Sequence, residues 1–385
     1  MTQHPLVKFG DVVRQVKDKV DPQTAGLERF VAGEHMDSDN LHIRRWGDVG
    51  DGYLGPAFHM RFKPGQVLYG SRRTYLRKVA VAEFEGITAN TTYVIEPQDP
   101  DVLLPDFLPF VMQTDSFNEH SIKQSKGSVN PYINFSDITW FEFPLPPIEE
   151  QREIVRLLTT VNNYIDSLFE AENKLKVLFD SLAFDLLAHR ETRAFVKLSE
   201  VCSQITVGIA SSAAHAYRET GVPLIRNTDI NAGYISREGM PFLSPEFDEK
   251  YRTKRVKVGD VVIARTGKPG ICAVIPPDLD NAQTFTTLIA RPIPKKLNSD
   301  FLCWWLNSSH GQQFVQTRKA GGIQQNLNAT LLQEMPISLP SLKEQENIVA
   351  KIRMALDSLE AIANTKNKTM KLYSKLREEK LSGNK

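Results

Sequence analysis

The chain is poor in the residues that build covalent or metal-centred structure. Its three cysteines, Cys202, Cys272 and Cys303, form no Cys-x-x-Cys pair and all fall in the second half. That pattern argues against a disulfide or zinc framework and predicts buried free thiols. The eight histidines show no His-Glu-x-x-His or comparable ligand spacing, which removes the common metalloprotease pattern. No segment approaches the ~18 consecutive apolar residues of a membrane span. The opening MTQHPLVKFGDVVRQ has no apolar run of signal-peptide length, so a cytoplasmic protein without membrane contact is expected. Charge of one sign is missing as well. The 47 Lys and Arg are balanced by 46 Asp and Glu, so any affinity for nucleic acid must come from local clusters.

Catalytic signatures are equally scarce. SVNPYINF contains Asn130-Pro131-Tyr132, close to the Asn-Pro-Pro-Tyr loop with which amino-methyltransferases hold a flipped base. It lacks the second proline, and no Gly-rich strand-to-helix turn suited to S-adenosylmethionine stands elsewhere. RTGKPG has a Gly-Lys pair but no glycine five residues before Gly267, so it is no phosphate-cradling P-loop. PEFDEK, Pro245 to Lys250, echoes a metal-nuclease pattern, but its acids are too crowded to converge from two strands, and a solvated turn is expected. A binding protein, not an enzyme, is the expectation.

What the chain does have is an internal repeat. PLPPIEEQREIV (Pro144–Val155) returns as SLPSLKEQENIV (Ser338–Val349), with Gln151 and Gln345 standing 194 residues apart. LVKFGDVVRQV returns as FVKLSEVCSQI, KPGQVLYG as KVGDVVIA, TTYVIEP as TTLIARP, and GSVNPYIN as GGIQQNLN. Ordered matches at a nearly constant offset mean one plan used twice. Each half reads as a mixed α/β unit followed by a long helix. VLYG, VVIA and the runs near Tyr93 and Leu288 predict short buried strands. Helices opened by an Asp near the N-cap are predicted from Asp106 and Asp300. Trp304 and Trp305, opposite Phe110 and Val111 in the repeat, are assigned to core packing.

The repeated phrase marks a helix start. Pro146 and Pro147 suit that place, Glu149, Glu150 and Glu153 favour the helix dipole, and Ser341 with Glu344 has capping-box spacing. Apolar residues then recur every three and four positions: Ile154, Leu158, Val161, Ile165, Leu168, Leu175, Phe179, Leu182 and Leu186 in the first copy. The second runs through Ile348, Ile352, Ala355, Leu359, Ile362, Tyr373 and Leu376. Charge interrupts both seams at equivalent places, Glu172 and Lys366. A helix of about forty residues spans on the order of 60 Å. With one apolar stripe it needs a partner, and the economical partner is the other helix, paired antiparallel. Two helical tails bound to other proteins is the alternative.

These residues resemble the specificity subunits of type I restriction–modification systems, most specifically in the twice-used Glu-Gln phrase opening a long helix and in the GSVNPYIN and GGIQQNLN runs upstream of it. The resemblance covers essentially the whole chain. It implies two pseudo-symmetric α/β target recognition domains, residues 1–146 and 191–339, and two helical spacer regions, 147–190 and 340–385, pairing as an antiparallel coiled coil. It also implies a non-catalytic subunit that reads a bipartite, asymmetric site on double-stranded DNA. Such a subunit holds two methyltransferase subunits and, where present, restriction–translocase subunits. S-adenosylmethionine, ATP and magnesium would belong to those partners and not to this chain. A protein–protein scaffold of tandem modules without DNA contact is the competing reading, favoured by the neutral net charge.

Local charge supports DNA. Arg61 to Lys78 carries Arg61, Lys63, Arg72, Arg73, Arg77 and Lys78 with no acid, and the aligned stretch carries Arg252, Lys254, Arg255, Lys257, Arg265 and Lys268 against a lone Asp260. Arg72, Arg73 and Arg265 directly follow a strand, on a loop from which arginine can pair with guanine. A second loop carries Lys123, Lys126 and Asn130 in one half and Arg318, Lys319, Gln324, Gln325 and Asn326 in the other. Its cations suit phosphate and its amides suit adenine. Glu149, Glu150, Arg152, Arg156, Lys343 and Glu346, on the outer faces of the helices, are the expected docking surface for partner subunits.

Overall fold

The computed structural model describes residues 4–50, 52, 54–188, 193–317 and 327–381. The chain divides into two compact units, one of residues 1–170 with 364–385 and one of residues 171–363. The sequence-based division at the helix starts differs from this one. Each unit takes a globular half together with a portion of both long helices, because the helical seams are buried against one another and against that half.

In the first unit a four-stranded antiparallel sheet has the order Val13–Val16, Thr92–Pro97, Val67–Gly70, Val79–Val81. A second sheet runs Gly47–Asp48, Arg29–Val31, Gly86–Ala89, Phe58–Phe62, with its middle pair parallel. A short antiparallel pair, Leu6–Lys8 with Glu142–Pro144, joins the start of the domain to its last strand before the helix. The core gathers Phe9, Phe107, Phe117 and Phe143, none more than 2% exposed. Each such burial is worth about 1.5–3 kcal/mol, so these rings decide where the helices pack.

The second unit repeats the plan. Its antiparallel sheet runs Cys202–Val207, Leu288–Pro292, Val261–Ile263, Cys272–Val274, and Ala194–Lys197 pairs with Pro336–Leu339. The strands expected at VLYG, VVIA and the two Thr-led runs are therefore present. A parallel pair also recurs, Val222–Arg226 beside Gln283–Phe285. The copies part company at the strand Phe58–Phe62. Its counterpart, 194 residues on, is the 3-10 turn Arg252–Lys254, preceded by the helix Pro245–Lys250. PEFDEK is thus a helix and not a solvated turn. Asp248 is buried, accepts from Arg255 Nη2 (2.6 Å) and Gln283 Nε2 (2.7 Å), and ties the helix to the sheet. The helix near Asp300 is capped by Asn298, whose Oδ1 accepts from Asp300 N and Phe301 N, so the aspartate sits inside the first turn.

The two long helices, Ile148–Leu187 and Leu342–Leu381, have 40 residues each. In the first unit Ile154, Leu158 and Ile165 share a core with Tyr373 and Leu381. In the second, Phe179, Leu186 and Leu187 share one with Ile348, Val349 and Ile352. Within each unit an early stretch of one helix therefore lies beside a late stretch of the other, which is antiparallel pairing. Two details differ from the heptad reading. Leu182 is 37% exposed instead of seam-buried, and Lys366 does not interrupt packing, since its Nζ lies 4.2 Å from the Phe169 ring centre, a cation–π contact.

The repeated Glu-Gln has a structural cause. Gln151 is fully buried; its Oε1 accepts from Leu104 N (2.9 Å) and its Nε2 donates to Val102 O (2.9 Å) and Pro146 O (2.8 Å). Gln345, also fully buried, accepts from Asn298 N (2.8 Å) and donates to Lys296 O (3.0 Å) and Pro340 O (2.9 Å). All these partners are 194 residues apart between copies. One amide thus satisfies three backbone groups that the fold has removed from water, and locks the helix start to its domain. The expected capping box is half formed. Ser341 Oγ accepts from Glu344 N (3.3 Å), while the Glu344 carboxylate takes Arg193 Nη2 (2.6 Å). Arg193 also donates to Ala188 O (2.6 Å), closing the end of the first long helix.

The three cysteines are free and buried. Among the described residues no helix is long and apolar enough to cross a membrane, and no cluster of three or more His, Cys, Asp or Glu is placed to hold a metal.

Candidate nucleic-acid interface

In the first unit the strand Val67–Gly70 delivers Ser71-Arg72-Arg73 directly onto the Lys126–Tyr132 loop. Ile133 N donates to Ser71 O (3.0 Å) and Arg73 N to Pro131 O (2.6 Å), while Lys126 and Tyr132 exchange backbone bonds of 2.7 and 2.9 Å. The two loops singled out in the sequence are therefore one surface. Arg73 Nε donates to Asn130 Oδ1 (3.1 Å). A concave groove of about 390 Å³ beside them is lined by Arg72, Arg73, Lys78, Asn130, Thr91 and Glu34, among others. Arg73 itself has φ 51°, a left-handed conformation uncommon for a side chain of its size, and such strain clusters at binding sites.

Exposure separates the candidates. Arg72, Arg73, Lys123, Lys126 and Asn130 are exposed. Lys126 Nζ donates to Asp137 Oδ2 (2.8 Å). That hydrogen bond holds the lysine above its ordinary pKa and the aspartate below its own, so at neutral pH the two largely neutralise each other. Lys78 Nζ donates to Gly33 O at the groove edge. Arg77 is a correction. Its guanidinium is bound to Asp39 (2.7 Å), Asp115 (2.6 Å) and the Gln113 carbonyl, so its donors are already engaged and it pins the domain together. Arg61 is likewise paired with Glu85, and Arg252 and Arg255 with Glu249 and Asp248 of the helix just before them. Tyr132, 45% exposed and bridged to both Arg72 and Lys126, was passed over as a site residue. The only sequence signal for it was its place in Asn-Pro-Tyr.

In the second unit Arg265 occupies the equivalent loop. Its N donates to Asn227 Oδ1 (2.7 Å) and its Nε to Leu327 O (3.1 Å). This side-chain bond joins the two positions, 194 residues on, that the Ile133–Ser71 backbone bond joins in the first copy. Lys268 stands exposed on the same turn. Arg318, Lys319, Gln324, Gln325 and Asn326 lie outside the described residues.

On the helices, Glu149, Arg152, Arg156, Lys343 and Glu346 are exposed. Glu149 lies 3.8 Å from Arg152, and Glu150 Oε1 lies 3.1 Å from Nε2 of His4, two residues before the strand Leu6–Lys8.

A family model described as the type I restriction modification DNA specificity domain matches this chain twice, over residues 47–177 and 191–372. The chain belongs to that family. Type I specificity subunits are non-catalytic, and the two matched segments fall on the two copies of the repeat. The chain is 27% identical over 282 residues to the type I restriction enzyme MjaVIII specificity subunit of Methanocaldococcus jannaschii, covering 65% of each chain. It is 30% identical over 154 residues to the EcoDI specificity subunit of Escherichia coli, covering 38% of this chain and 34% of that one. Both matches span less than two thirds of the relative's length. The fold is also that of a chain in a solved structure described as the "structural basis underlying complex assembly and conformational transition of the type I R-M system". There the TM-score is 0.65 at 20% identity, covering 99% of both chains.

Proposed function

We propose that this specificity subunit reads a bipartite, asymmetric site on double-stranded DNA, one half-site per globular half. In the same proposal its paired helices hold two methyltransferase subunits and, where the system has them, restriction–translocase subunits. S-adenosylmethionine, ATP and magnesium act on those partners. The observation that supports it is a single plan used twice with unlike loops at the same place, Ser71-Arg72-Arg73 in one copy and Arg265-Thr266-Gly267-Lys268 in the other. Like scaffolds present the loops alike; unlike side chains on them read different bases. In the first unit Arg72, Arg73 and Asn130 are the proposed base or phosphate contacts, with Lys78, Lys123 and Lys126 toward the backbone. Arg265 and Lys268 take that role in the second.

The test is a reader exchange. Residues 195–337 are replaced by the corresponding segment of another specificity subunit, and the methylated sequence is mapped in cells. One half of the motif is expected to change and the other to stay. A change in both halves, or in neither, contradicts independent readers.

A further inference from the structure

The duplication supplies an internal control for one place where the two copies are chemically unlike. In the second unit the second half of the first long helix packs Phe179 in one cluster with Trp304 and Leu356, Phe179 and Trp304 standing edge to face at 6.4 Å, and Ala183 follows one turn on in the sequence. Gly233, with φ 84°, and Ile271 stand nearby in the repeat frame. In the first unit, 194 residues away in each case, these positions are Tyr373, Arg377, Phe110, Asn162, Asp39 and Arg77. Asp39 even keeps the positive φ of its glycine counterpart, at 52°. An apolar layer has been rewritten as a polar one in one copy only, and the backbone has been kept.

The rewritten layer encloses a cavity of about 340 Å³, with Arg77, Asn162, Asp166, Lys371, Tyr373 and Arg377 on its polar side and Ile165, Phe169 and Met370 on its apolar side. Arg377 is 3% exposed and Tyr373 is 6% exposed. Two buried donors on residues that line it, Arg377 Nε and Tyr373 OH, lack a partner of hydrogen-bond geometry. The carboxylates at the rim are already committed. Asp39 and Asp115 pair with Arg77 at 2.7 and 2.6 Å, and Asp166 pairs with Arg44 and with His42 at 3.0 Å. Arg377 makes no ion pair within 4 Å among the described residues; its Nη1 donates to Gln113 Oε1 at 3.2 Å, and its guanidinium lies 5.5 Å from the Tyr373 ring centre. Burial pulls the guanidinium below its ordinary pKa and pushes the Tyr373 phenol up to about 12, so the phenol remains a donor at any physiological pH.

A buried guanidinium without a carboxylate partner, beside a buried phenol that can donate, forms an anion site, because burying an unpaired charge is costly until an opposite charge arrives. We propose that this cavity of the first unit binds a phosphoryl oxyanion, either inorganic phosphate or the phosphate of a small nucleotide. Arg377 Nε and Tyr373 OH are its hydrogen-bond donors and Lys371 supplies a second charge. The apolar wall of Phe169, Ile165 and Met370 leaves space for a group attached to the phosphate. The bound ligand would fasten the end of the second long helix to the globular part of the same unit.

The experiment is calorimetric titration of the full chain with inorganic phosphate and, separately, with adenosine monophosphate, in phosphate-free buffer. Saturable binding of one equivalent is expected for at least one probe. Tyr373→Phe installs the residue the other copy uses, so it should fold, and is expected to weaken binding about tenfold or more, the loss of one hydrogen bond to a charged group. Lys371→Val, again the residue of the other copy, weakens it less, and Arg377→Ala abolishes it. Equal affinity for both probes marks free phosphate as sufficient; a clear preference for the nucleotide marks the apolar wall as part of the site. Saturable binding of neither probe, or binding that Tyr373→Phe and Lys371→Val leave unchanged, overturns the proposal. Neither result bears on DNA reading, which rests on other residues.

Discussion

Gln151→Leu is expected to destabilise the first unit by about 3–5 kcal/mol, because each buried backbone group left without its partner costs about 1–3 kcal/mol. The orphans would be Leu104 N–H and the carbonyls of Val102 and Pro146. Against a total stability of about 5–15 kcal/mol this is a large share, and a fall of about 6–20 °C in melting temperature should follow for a unit of this size. Gln345→Leu is expected to do the same to the second unit through Asn298, Lys296 and Pro340. Gln→Glu at either position should be no rescue, since a carboxylate cannot donate to two carbonyls. Thermal unfolding with hydrogen exchange read at the Leu104 or Asn298 amide checks it. A melting temperature within about 1 °C of the unaltered chain would mean that the amide contributes little.

The second large effect concerns DNA. Replacing Arg72 and Arg73 together by alanine is expected to weaken cognate binding about a hundredfold or more, from ~1–3 kcal/mol per arginine that pairs with a base. Full chain assembled with methyltransferase subunits, titrated with cognate and scrambled duplex at two salt concentrations, separates the modes. Loss confined to cognate DNA means base reading, while uniform loss with a salt slope reduced by about 1 per residue means phosphate contact. Affinity unchanged within about twofold would remove this loop from the interface. Arg77→Ala supplies the contrast: it should lower stability, since Asp39, Asp115 and the Gln113 carbonyl lose their common donor, yet leave DNA affinity of the folded protein alone.

Much of the architecture was legible because it is periodic. The repeat needs only self-comparison, and the heptads need only a count of apolar residues; both lead to paired helices on two like units. The site was legible only in part. The basic cluster between Arg61 and Lys78 looks uniform along the chain, but folding brings Glu85 to Arg61 and Asp39 with Asp115 to Arg77. Arg72 and its neighbours at the groove are left exposed, as is Lys63. Charge pairing across 24 to 38 residues leaves no local trace. The meeting of the Arg72 loop with Tyr132 is hidden for the same reason. PEFDEK reads as a solvated turn in the sequence, because its acids look solvated until Arg255 and Gln283 are placed beside Asp248. The Glu-Gln phrase was noticed as a marker while its reason was not, since three backbone partners from a distant loop and the preceding turn cannot be inferred from the glutamine alone.

The most direct measurement is methylome sequencing of a host with and without this chain. Two unlike half-sites separated by a fixed number of unspecified bases, methylated only when the chain is present, are the expected result. A single uninterrupted motif, a palindrome, or methylation indifferent to the chain would contradict two unlike readers carried on one duplicated scaffold.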